Sequence, residues 1–203
     1  MNIDFATSEA FEDAVSGHTR AIEEFRQQRE VVVEICRLLL KSLQAGGKIL
    51  WCGNGGSASD AQHLAAGLVG RFKRDRKALP SIALTTDTSI LTSIGNDFGF
   101  DSVFQRQVEA LCLPQDLLVG ISTSGNSSNV CAAIEEAKRI GAATVVFTGQ
   151  SGGKLAGLAD AALCVRATET ARIQEVHILC GHILCDWIEA AAISPGAEGK
   201  GKS

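Results

Sequence analysis

Apolar residues recur at helical spacing over the first part of the chain. Between positions 9 and 43 they return every three or four residues, which predicts two amphipathic helices. Gly46–Gly47 ends the second helix, and an apolar run at 48–52 follows. The letters GNGGS come next, before another helical pattern at about 58–69. This order predicts a strand, a glycine loop and a helix.

The same unit recurs along the rest of the chain. Further apolar runs alternate with predicted helices near 88–94, 128–139 and 170–191; the runs are 81–85, 116–121, 143–147 and 161–165. Runs that are apolar on both faces are typical of buried parallel strands, so we expect a five-stranded parallel sheet flanked by helices. We expect one domain over residues 1–192, with N-terminal helices at about 8–44 and an α/β core at about 48–192. The tail 193–203 is predicted to be disordered.

Composition narrows the class of protein. The chain has 203 residues, 45% of them hydrophobic, which is enough for one full core. A formal charge of -4 argues against nonspecific nucleic-acid binding. We see no continuous apolar run of about 18 residues and no basic leader, so we expect a cytoplasmic protein without a membrane partner. The seven cysteines, odd in number and without C-x-x-C, are interpreted as small buried hydrophobes.

Two loops follow predicted strands and are suited to binding an anion. They are Gly53–Ser57 and Ser122–Ser128. Ligands of parallel sheets bind beyond the carboxyl ends of the strands, where helix N-termini offer free N–H groups. The alternative is that these residues only make tight turns and caps. A dinucleotide site fits less well than a phosphomonoester, because no acidic residue lies about 20 positions after the first loop and Asp87 comes too late.

Other polar residues suggest chemistry near these loops. His63, His177 and His182 lie on predicted helices, and with Asp60 and Gln174 they form a candidate catalytic or metal site. Taken singly, each histidine is better explained by a structural role. The cationic segment 71–77 is interpreted as a solvated loop, and a rim that attracts anionic ligands is the alternative.

Four motifs together carry a family resemblance. They are GNGGSASDAQHLAA from Gly53, GNDFGF at 95–100, ISTSGNSSN at 121–129 and RIQEVHILCGHIL at 172–184. In this order and spacing they resemble the phosphoheptose isomerases of the SIS (sugar isomerase) fold over residues 8–192. The resemblance implies a flavodoxin-like sheet, N-terminal helices that serve a homotetramer, and conversion of sedoheptulose 7-phosphate to D-glycero-D-manno-heptose 7-phosphate through an enediol. That product supplies heptose for bacterial lipopolysaccharide.

The resemblance also assigns roles to residues of this chain. It implies one zinc ion per subunit, with ligands His63, Gln174 and His182, and makes His182 a general acid/base. Substrate contacts fall on two groups of residues. The residues implied to contact the sugar are Asn54, Gly55, Gly56, Ser57, Asn96, Asp97 and Gln174. The residues implied to hold the phosphate are Ser122, Thr123, Ser124 and Ser127.

One position departs from the family pattern. Gly67 stands where the family has a glutamate that binds metal and acts as the base, so zinc binding is expected to be weakened or absent. Three interpretations stay open. An active isomerase uses another group, such as Asp60, Glu175 or His177; or the chain turns over slowly; or it is a noncatalytic relative that resembles the replication-initiator-associating protein. That relative lacks a histidine at the position of His182, which favours isomerase chemistry here.

The spacing of two predicted ligands raises a geometric question. Gln174 and His182 are eight residues apart, so on one straight helix their backbones differ by about 12 Å. Either the helix starts irregularly near Gln174, or the ligands converge from different chains at a subunit interface.

Overall fold

The computed structural model describes residues 9–193, and its elements follow the predicted alternation. The helices are α1 Glu9–Arg26, α2 Arg29–Gln44, α3 Gly56–Val69, α4 Thr88–Phe98, α5 Gln105–Leu111, α6 Ser128–Ile140, α7 Gly153–Leu158 and α8 Thr170–Ile193. The strands are β1 Ile49–Gly53, β2 Ser81–Ala83, β3 Leu117–Ser122, β4 Ala143–Gly149 and β5 Ala161–Val165. A 3-10 turn at Phe100–Ser102 precedes α5. The sequence pattern missed α5 and α7, because one or two turns show little periodicity.

The five strands form one parallel sheet in the order β2-β1-β3-β4-β5. This order confirms the expected flavodoxin-like α/β class. The chain adds β2 on one side of β1 and then β3 on the other, so the strand order reverses between β1 and β3. Open sheets of this kind bind their ligands at such a reversal.

Alternate residues of β1 point into two separate cores. Ile49 and Trp51 pack with α2, α3 and α8 on one face of the sheet. Leu50 and Cys52 pack with α5 and α6 on the other face. Every residue of β1 and β3 is buried, as expected for central strands covered on both sides. All seven cysteines are free thiols, and five are buried, as the composition indicates.

Helix α8 is a long apolar helix packed against the fold. It is long and apolar enough by length and composition to cross a membrane, which the search for continuous apolar runs did not anticipate. In this fold, however, 44% of its most apolar window is buried, and it packs on α1, α2 and α3. Ile193, predicted as the first residue of a disordered tail, ends this helix. The rest of that tail lies outside the described residues.

Helices α3 and α8 lie side by side and run in the same direction. Gly56 contacts Gln174 near their N-termini, and Gly181 contacts Leu64 further along. A β-carbon on Gly181 would stand 2.5 Å from Leu64 Cδ1, so glycine allows this close approach of the two helices. The two helices are therefore in contact at Gly56 and Gln174 and again at Leu64 and Gly181.

Candidate functional site

The two predicted anion loops lie side by side at the carboxyl ends of β1 and β3. Gly53 of β1 is in register with Ile121 of β3. A β-carbon on Gly53 would stand 2.9 Å from the Ile121 carbonyl oxygen, so a side chain would push these elements apart. Gly55, with φ of 56°, turns the chain into α3. Gly55 and Gly56 are exposed, whereas Ser57 is buried in the first turn of α3.

A reciprocal pair of side-chain amides ties the two loops together. Asn54 Nδ2 donates to Asn129 Oδ1 at 2.9 Å, and Asn129 Nδ2 donates to Asn54 Oδ1 at 2.9 Å. Asn129 is buried in the first turn of α6. Sequence reasoning did not single it out, although it ends the ISTSGNSSN motif. The carboxamide of Asn54, an expected sugar contact, is thus oriented by the first turn of α6, which follows the second loop.

The second loop gathers serine hydroxyls at the N-terminus of α6. Ser122 Oγ lies 2.8 Å from Ser127 Oγ and 3.4 Å from Ser124 Oγ. Gly125, with φ of 66°, makes the turn that brings these residues together. Thr123 is half-buried, and its carbonyl accepts a hydrogen bond from the Gly149 N–H. Clustered hydroxyls and free helix N–H groups are suited to phosphate oxygens.

Asn96 and Asp97 lie in the last turn of α4. Both are exposed, and Asn96 Nδ2 donates to Asp97 Oδ1 at 2.8 Å. The segment that follows reaches the serine loop, because the Ser128 hydroxyl donates to Asp101 of the 3-10 turn. Asp101 lies one residue beyond the GNDFGF motif, and no sequence pattern singled it out.

Two of the predicted ligands meet directly between α3 and α8. His63 Nε2 lies 2.8 Å from His182 Nε2, and the ring centroids are 5.1 Å apart. Burial and the neighbouring His63 lower the pKa of His182 below its ordinary value. Phe72 stacks on the other side of His182, with a centroid distance of 5.4 Å and an interplanar angle of 30°. The two imidazoles are thus in contact with each other at the surface of the helix pair.

The cationic segment 71–77 is less solvated than its composition suggests. Lys73 and Arg74 form ion pairs with Asp186, at 2.9 and 2.7 Å. Arg76 is buried and lies 3.4 Å from Glu189. The interpretation as a solvated loop agrees with the exposed side chains of Lys73 and Arg74, which nevertheless pair with α8. It is wrong for the buried side chain of Arg76, because α8 supplies a carboxylate that the sequence pattern could not align with it.

The three candidate replacements for the family base have different surroundings in the fold. Glu175 pairs with His18 at 2.9 Å and with Arg172 at 2.9 Å. His177 is fully buried and hydrogen-bonds to the Thr148 carbonyl oxygen, so it is a core residue rather than a site residue. Asp60 lies one turn before His63 on α3. Burial raises its pKa despite the opposing effect of His63, and its Oδ2 is buried without a hydrogen-bond partner.

Gln174 does not join the histidine pair within one chain. Its side chain covers Gly56, where a β-carbon would stand 2.5 Å from Gln174 Nε2. Helix α8 begins at Thr170, so Gln174 is inside a continuous helix, and the first of the two alternatives, an irregular start near Gln174, is not observed. Gln174 therefore lies on the glycine loop, about 12 Å along the helix axis from His182.

Over the described residues 9–193, the expected ligands of one chain do not come together as a zinc site. Zinc needs ligands at about 2.0 to 2.3 Å, and structural or catalytic sites have at least three protein ligands. Within residues 9–193, no group of three or more His, Cys, Asp or Glu side chains is placed to hold a metal ion. The histidine pair offers two ligands, and Gly67 offers none. The side-chain atom nearest to a β-carbon at Gly67 is Cys185 Sγ, at 3.3 Å.

A family model and related proteins match the chain. The SIS domain model matches residues 11–149. The phosphoheptose isomerase of Aquifex aeolicus is 54% identical over 168 residues, which cover 83% of this chain and 86% of that protein. The phosphoheptose isomerase of Nitratidesulfovibrio vulgaris is 48% identical over 203 residues, which cover 97% of this chain and 98% of that protein.

Solved structures agree with these sequence matches. The phosphoheptose isomerase of Neisseria gonorrhoeae superposes with a TM-score of 0.85 and 47% identity, covering 90% of this chain and 98% of that one. The phosphoheptose isomerase of Francisella tularensis gives a TM-score of 0.82 and 36% identity, covering 89% of this chain and 98% of that one. Sequence and fold thus point to the same group of proteins.

Proposed function

Because the chain belongs to the phosphoheptose isomerases of the SIS domain family, we propose that it converts sedoheptulose 7-phosphate to D-glycero-D-manno-heptose 7-phosphate. The observation that carries this proposal is the cluster of Ser122, Ser124 and Ser127 hydroxyls at the N-terminus of α6. A helix N-terminus with added hydroxyl donors suits a terminal phosphate. The product would supply heptose for lipopolysaccharide, and we place the enzyme in the cytoplasm.

The sugar binds between the two loops in this proposal. The phosphate rests on the serine cluster and Thr123. Asn54 and the exposed backbone of Gly55 and Gly56 contact the sugar hydroxyls, together with Asn96, Asp97 and Gln174. The position of Gln174 over Gly56 supports its role as a substrate contact. Ser57 is buried in the first turn of α3 and supports the glycine loop Gly53–Ser57.

The reaction moves one hydrogen between C1 and C2. A base removes a proton from C1 of the ketose and leaves an enediol, which regains a proton at C2 to give the aldose. A second group exchanges a proton with the two oxygens. We assign the oxygen protons to His182, which His63 holds in place. We assign the carbon proton to Asp60, because its buried Oδ2 is free of hydrogen-bond partners and its raised pKa makes it a stronger base than an ordinary carboxylate.

Gly67 makes this enzyme slower than a family member with the glutamate. Its position, one turn after His63, carries no group that accepts a proton. The neighbouring Cys185 does not substitute for it, since burial raises the pKa of this thiol to about 12 and keeps it neutral near pH 7. Removing a positioned base costs about 10² to 10⁴ in rate. We therefore expect measurable but low activity.

The competing proposal is a noncatalytic SIS protein that binds phosphosugars or regulates a partner. Gly67 favours it, because a protein that only binds its ligand does not need the carboxylate. The retained pair of His63 and His182 favours the isomerase, because two imidazoles at hydrogen-bond distance serve proton transfer and add nothing to phosphate binding.

The decisive experiment compares the parent chain with Gly67→Glu on sedoheptulose 7-phosphate. NMR in D₂O measures both net conversion and exchange of the C1 hydrogens, so proton abstraction is detected even when turnover is slow. Ala66→Glu is the matched control, because it adds the same carboxylate at an exposed neighbouring position. We expect slow exchange in the parent, faster exchange in Gly67→Glu and parental exchange in Ala66→Glu.

Other outcomes would change the proposal. If the parent exchanges the C1 hydrogens as fast as Gly67→Glu, the chain does not lack a base, and the glycine at position 67 does not limit the rate. If both proteins bind the phosphosugar without exchanging its C1 hydrogens, or if neither binds it and the parent binds a protein partner tightly, the noncatalytic alternative is preferred.

Assembly belongs to the same proposal. We propose a homotetramer of single SIS domains over residues 1–192, in which α1 contributes the exposed apolar residues Phe11 and Val15. Zinc binding by one chain is not supported by its residues, so a third ligand such as Gln174 would have to come from another subunit. Mixing inactive Gln174→Ala and His182→Gln subunits tests this arrangement: it predicts recovered activity, and complete failure to complement rejects it.

A further inference from the structure

A buried carboxylate on α8 holds the segment that covers His182. Glu189 is fully buried, and its two oxygens accept three backbone hydrogen bonds. Oε1 accepts from the Phe72 N–H at 2.9 Å, and Oε2 accepts from the Lys73 and Arg74 N–H groups at 2.7 and 2.8 Å. Three consecutive N–H groups that converge on one carboxylate fix the path of the chain there.

Arg76 links this carboxylate to the end of α3. Its side chain is 3% exposed, with Nε 3.4 Å from Glu189 Oε1. Its Nη2 donates to the Gly67 carbonyl at 2.9 Å, and its Nη1 donates to the Gly70 carbonyl at 3.1 Å. Glu189 and Arg76 therefore join α8, the segment 72–74 and the helix that carries His63.

The segment held in this way places one side chain on the histidine pair. The ring of Phe72 stacks on His182, while His63 occupies another side of the same imidazole. His182 and Glu189 are seven residues apart on α8, which is about two helical turns on one face. The half-buried His182 is thus flanked by His63 of α3 and by a loop whose position depends on a carboxylate from its own helix.

We propose that Glu189 is a positioning residue for the reaction, acting on His182 through the backbone of residues 72–74 and the ring of Phe72. The proposal rests on the proposed function, in which His182 transfers protons. Removing the carboxylate releases three N–H groups and leaves Arg76 as an unpaired buried cation. The loop then shifts, and Phe72 no longer restricts the orientation of His182.

Kinetics of four variants test this role. Glu189→Gln and Phe72→Ala are expected to lower kcat by about 10- to 100-fold, as is typical when a supporting contact of a reacting group is lost. KM should stay near the parental value, because the contacts shown for residues 72–74 are with Asp186, Glu189 and His182 of α8, whereas the phosphate and sugar are assigned to the serine and glycine loops. Phe72→Tyr keeps the stacked ring and should retain the parental kcat. The double variant Glu189→Gln/Phe72→Ala should be no slower than the slower single variant, since both act along one route.

Two control variants separate positioning from general destabilisation. Glu136→Gln removes a largely buried carboxylate that pairs with Arg139 on α6, away from the histidines. Asp186→Asn removes the ion pairs to Lys73 and Arg74 but leaves the backbone bonds to Glu189 intact. Both should keep the parental kcat when all rates are measured well below each variant's melting temperature.

A measurement without turnover keeps the test independent of the proposed function. The chain has 4 histidines, so isotope labelling of histidine gives a simple NMR spectrum. The stacked ring of Phe72 should shift the His182 ring protons, and this shift should disappear in Phe72→Ala and change in Glu189→Gln. If the parent and Gly67→Glu both lack isomerase activity, the proposed function fails and the NMR spectrum alone decides whether Glu189 positions His182.

Specific results would overturn the proposal. Unchanged His182 signals in Glu189→Gln would do so, and so would parental kcat values in Glu189→Gln and Phe72→Ala. A changed signal with a parental kcat also overturns it, because the orientation would then have no effect on the reaction. If Glu189→Gln does not fold, Phe72→Ala and Phe72→Tyr still test the stacking step.

Discussion

The thiol of Cys185 lies 3.3 Å from the point where a β-carbon on Gly67 would stand. Helices α3 and α8 are in close contact here, and a side chain at position 67 requires Cys185 Sγ to move slightly. Adding a side chain at position 67, including the family's glutamate, therefore affects the packing of α3 against α8.

We first predict that substitutions at Gly67 and Cys185 have non-additive effects on the free energy of unfolding. Gly67→Ala should stabilise the chain by less than the roughly 1 kcal/mol that alanine gains over glycine in a helix, because its β-carbon presses on the thiol. In a Cys185→Ala background the full gain should appear. Urea unfolding of the parent, both single variants and the double variant measures this difference. Gly95→Ala is the control, because the nearest atom to its β-carbon is 3.9 Å away; equal gains in both backgrounds would exclude the contact.

Our second prediction concerns zinc. Gly67→Glu adds a carboxylate one helical turn from His63, which would give the histidine pair a third protein ligand. We expect more zinc per subunit in Gly67→Glu than in the parent after dialysis against a weak chelator, as measured by elemental analysis. Ala66→Glu should match the parent. A parent that already retains one zinc ion per subunit would show that other ligands, from another subunit, complete the site.

The third prediction concerns the serine cluster. Ser122→Ala and Ser127→Ala should each raise KM for sedoheptulose 7-phosphate by about tenfold or more, because a hydrogen bond to a charged group contributes about 1.5 to 3 kcal/mol. The value of kcat should change little, since the phosphate is remote from C1 and C2. Ser128→Ala, whose hydroxyl faces Asp101, is the control. Steady-state kinetics with inorganic phosphate as a competitor would reveal whether the cluster binds phosphate at all.

The fourth prediction is a pH dependence of stability caused by His177. Burial lowers the pKa of His177 to about 4 from an ordinary value of 6.5. The unfolded chain therefore binds a proton first as the pH falls, and the free energy of unfolding should decrease between pH 6.5 and 4. The decrease amounts to about 3 kcal/mol. Urea unfolding across this range should show a smaller decrease in His177→Gln, in which Nε2 still reaches the Thr148 carbonyl; an identical pH profile would contradict the assignment to His177.

The fifth prediction tests the amide pair between the two loops. Asn129→Asp replaces a donor with an acceptor opposite Asn54, which removes one of two hydrogen bonds and leaves two oxygens facing each other. We expect a loss of about 1 to 3 kcal/mol in stability and a higher KM, because Asn54 loses its orientation. Urea unfolding and steady-state kinetics measure both effects. A loss of stability with an unchanged KM would restrict Asn129 to a structural role.

The pattern of apolar and polar residues was sufficient to predict the architecture of this protein. Strands that are apolar on both faces and helices with one apolar face can only be buried in a layered α/β arrangement, so the five strands and most helices were predicted close to their observed bounds. The loops Gly53–Ser57 and Ser122–Ser128 were also predicted, because strand-to-helix turns at the carboxyl ends of a parallel sheet have a recognisable composition.

The contacts between side chains of different helices could not be predicted from the pattern and depend on how the chain folds. His63 and His182 are 119 residues apart in the chain and share a contact, whereas Gln174 and His182 share a helix and remain apart. His177 and Glu175 carry the same chemical groups as site residues, but packing places one in the core and the other in an ion pair. Spacing along a chain fixes neighbours within one helix, and contacts between helices depend on how their faces pack. For this reason the partners of Asn129 and Glu189 appeared only in the folded chain.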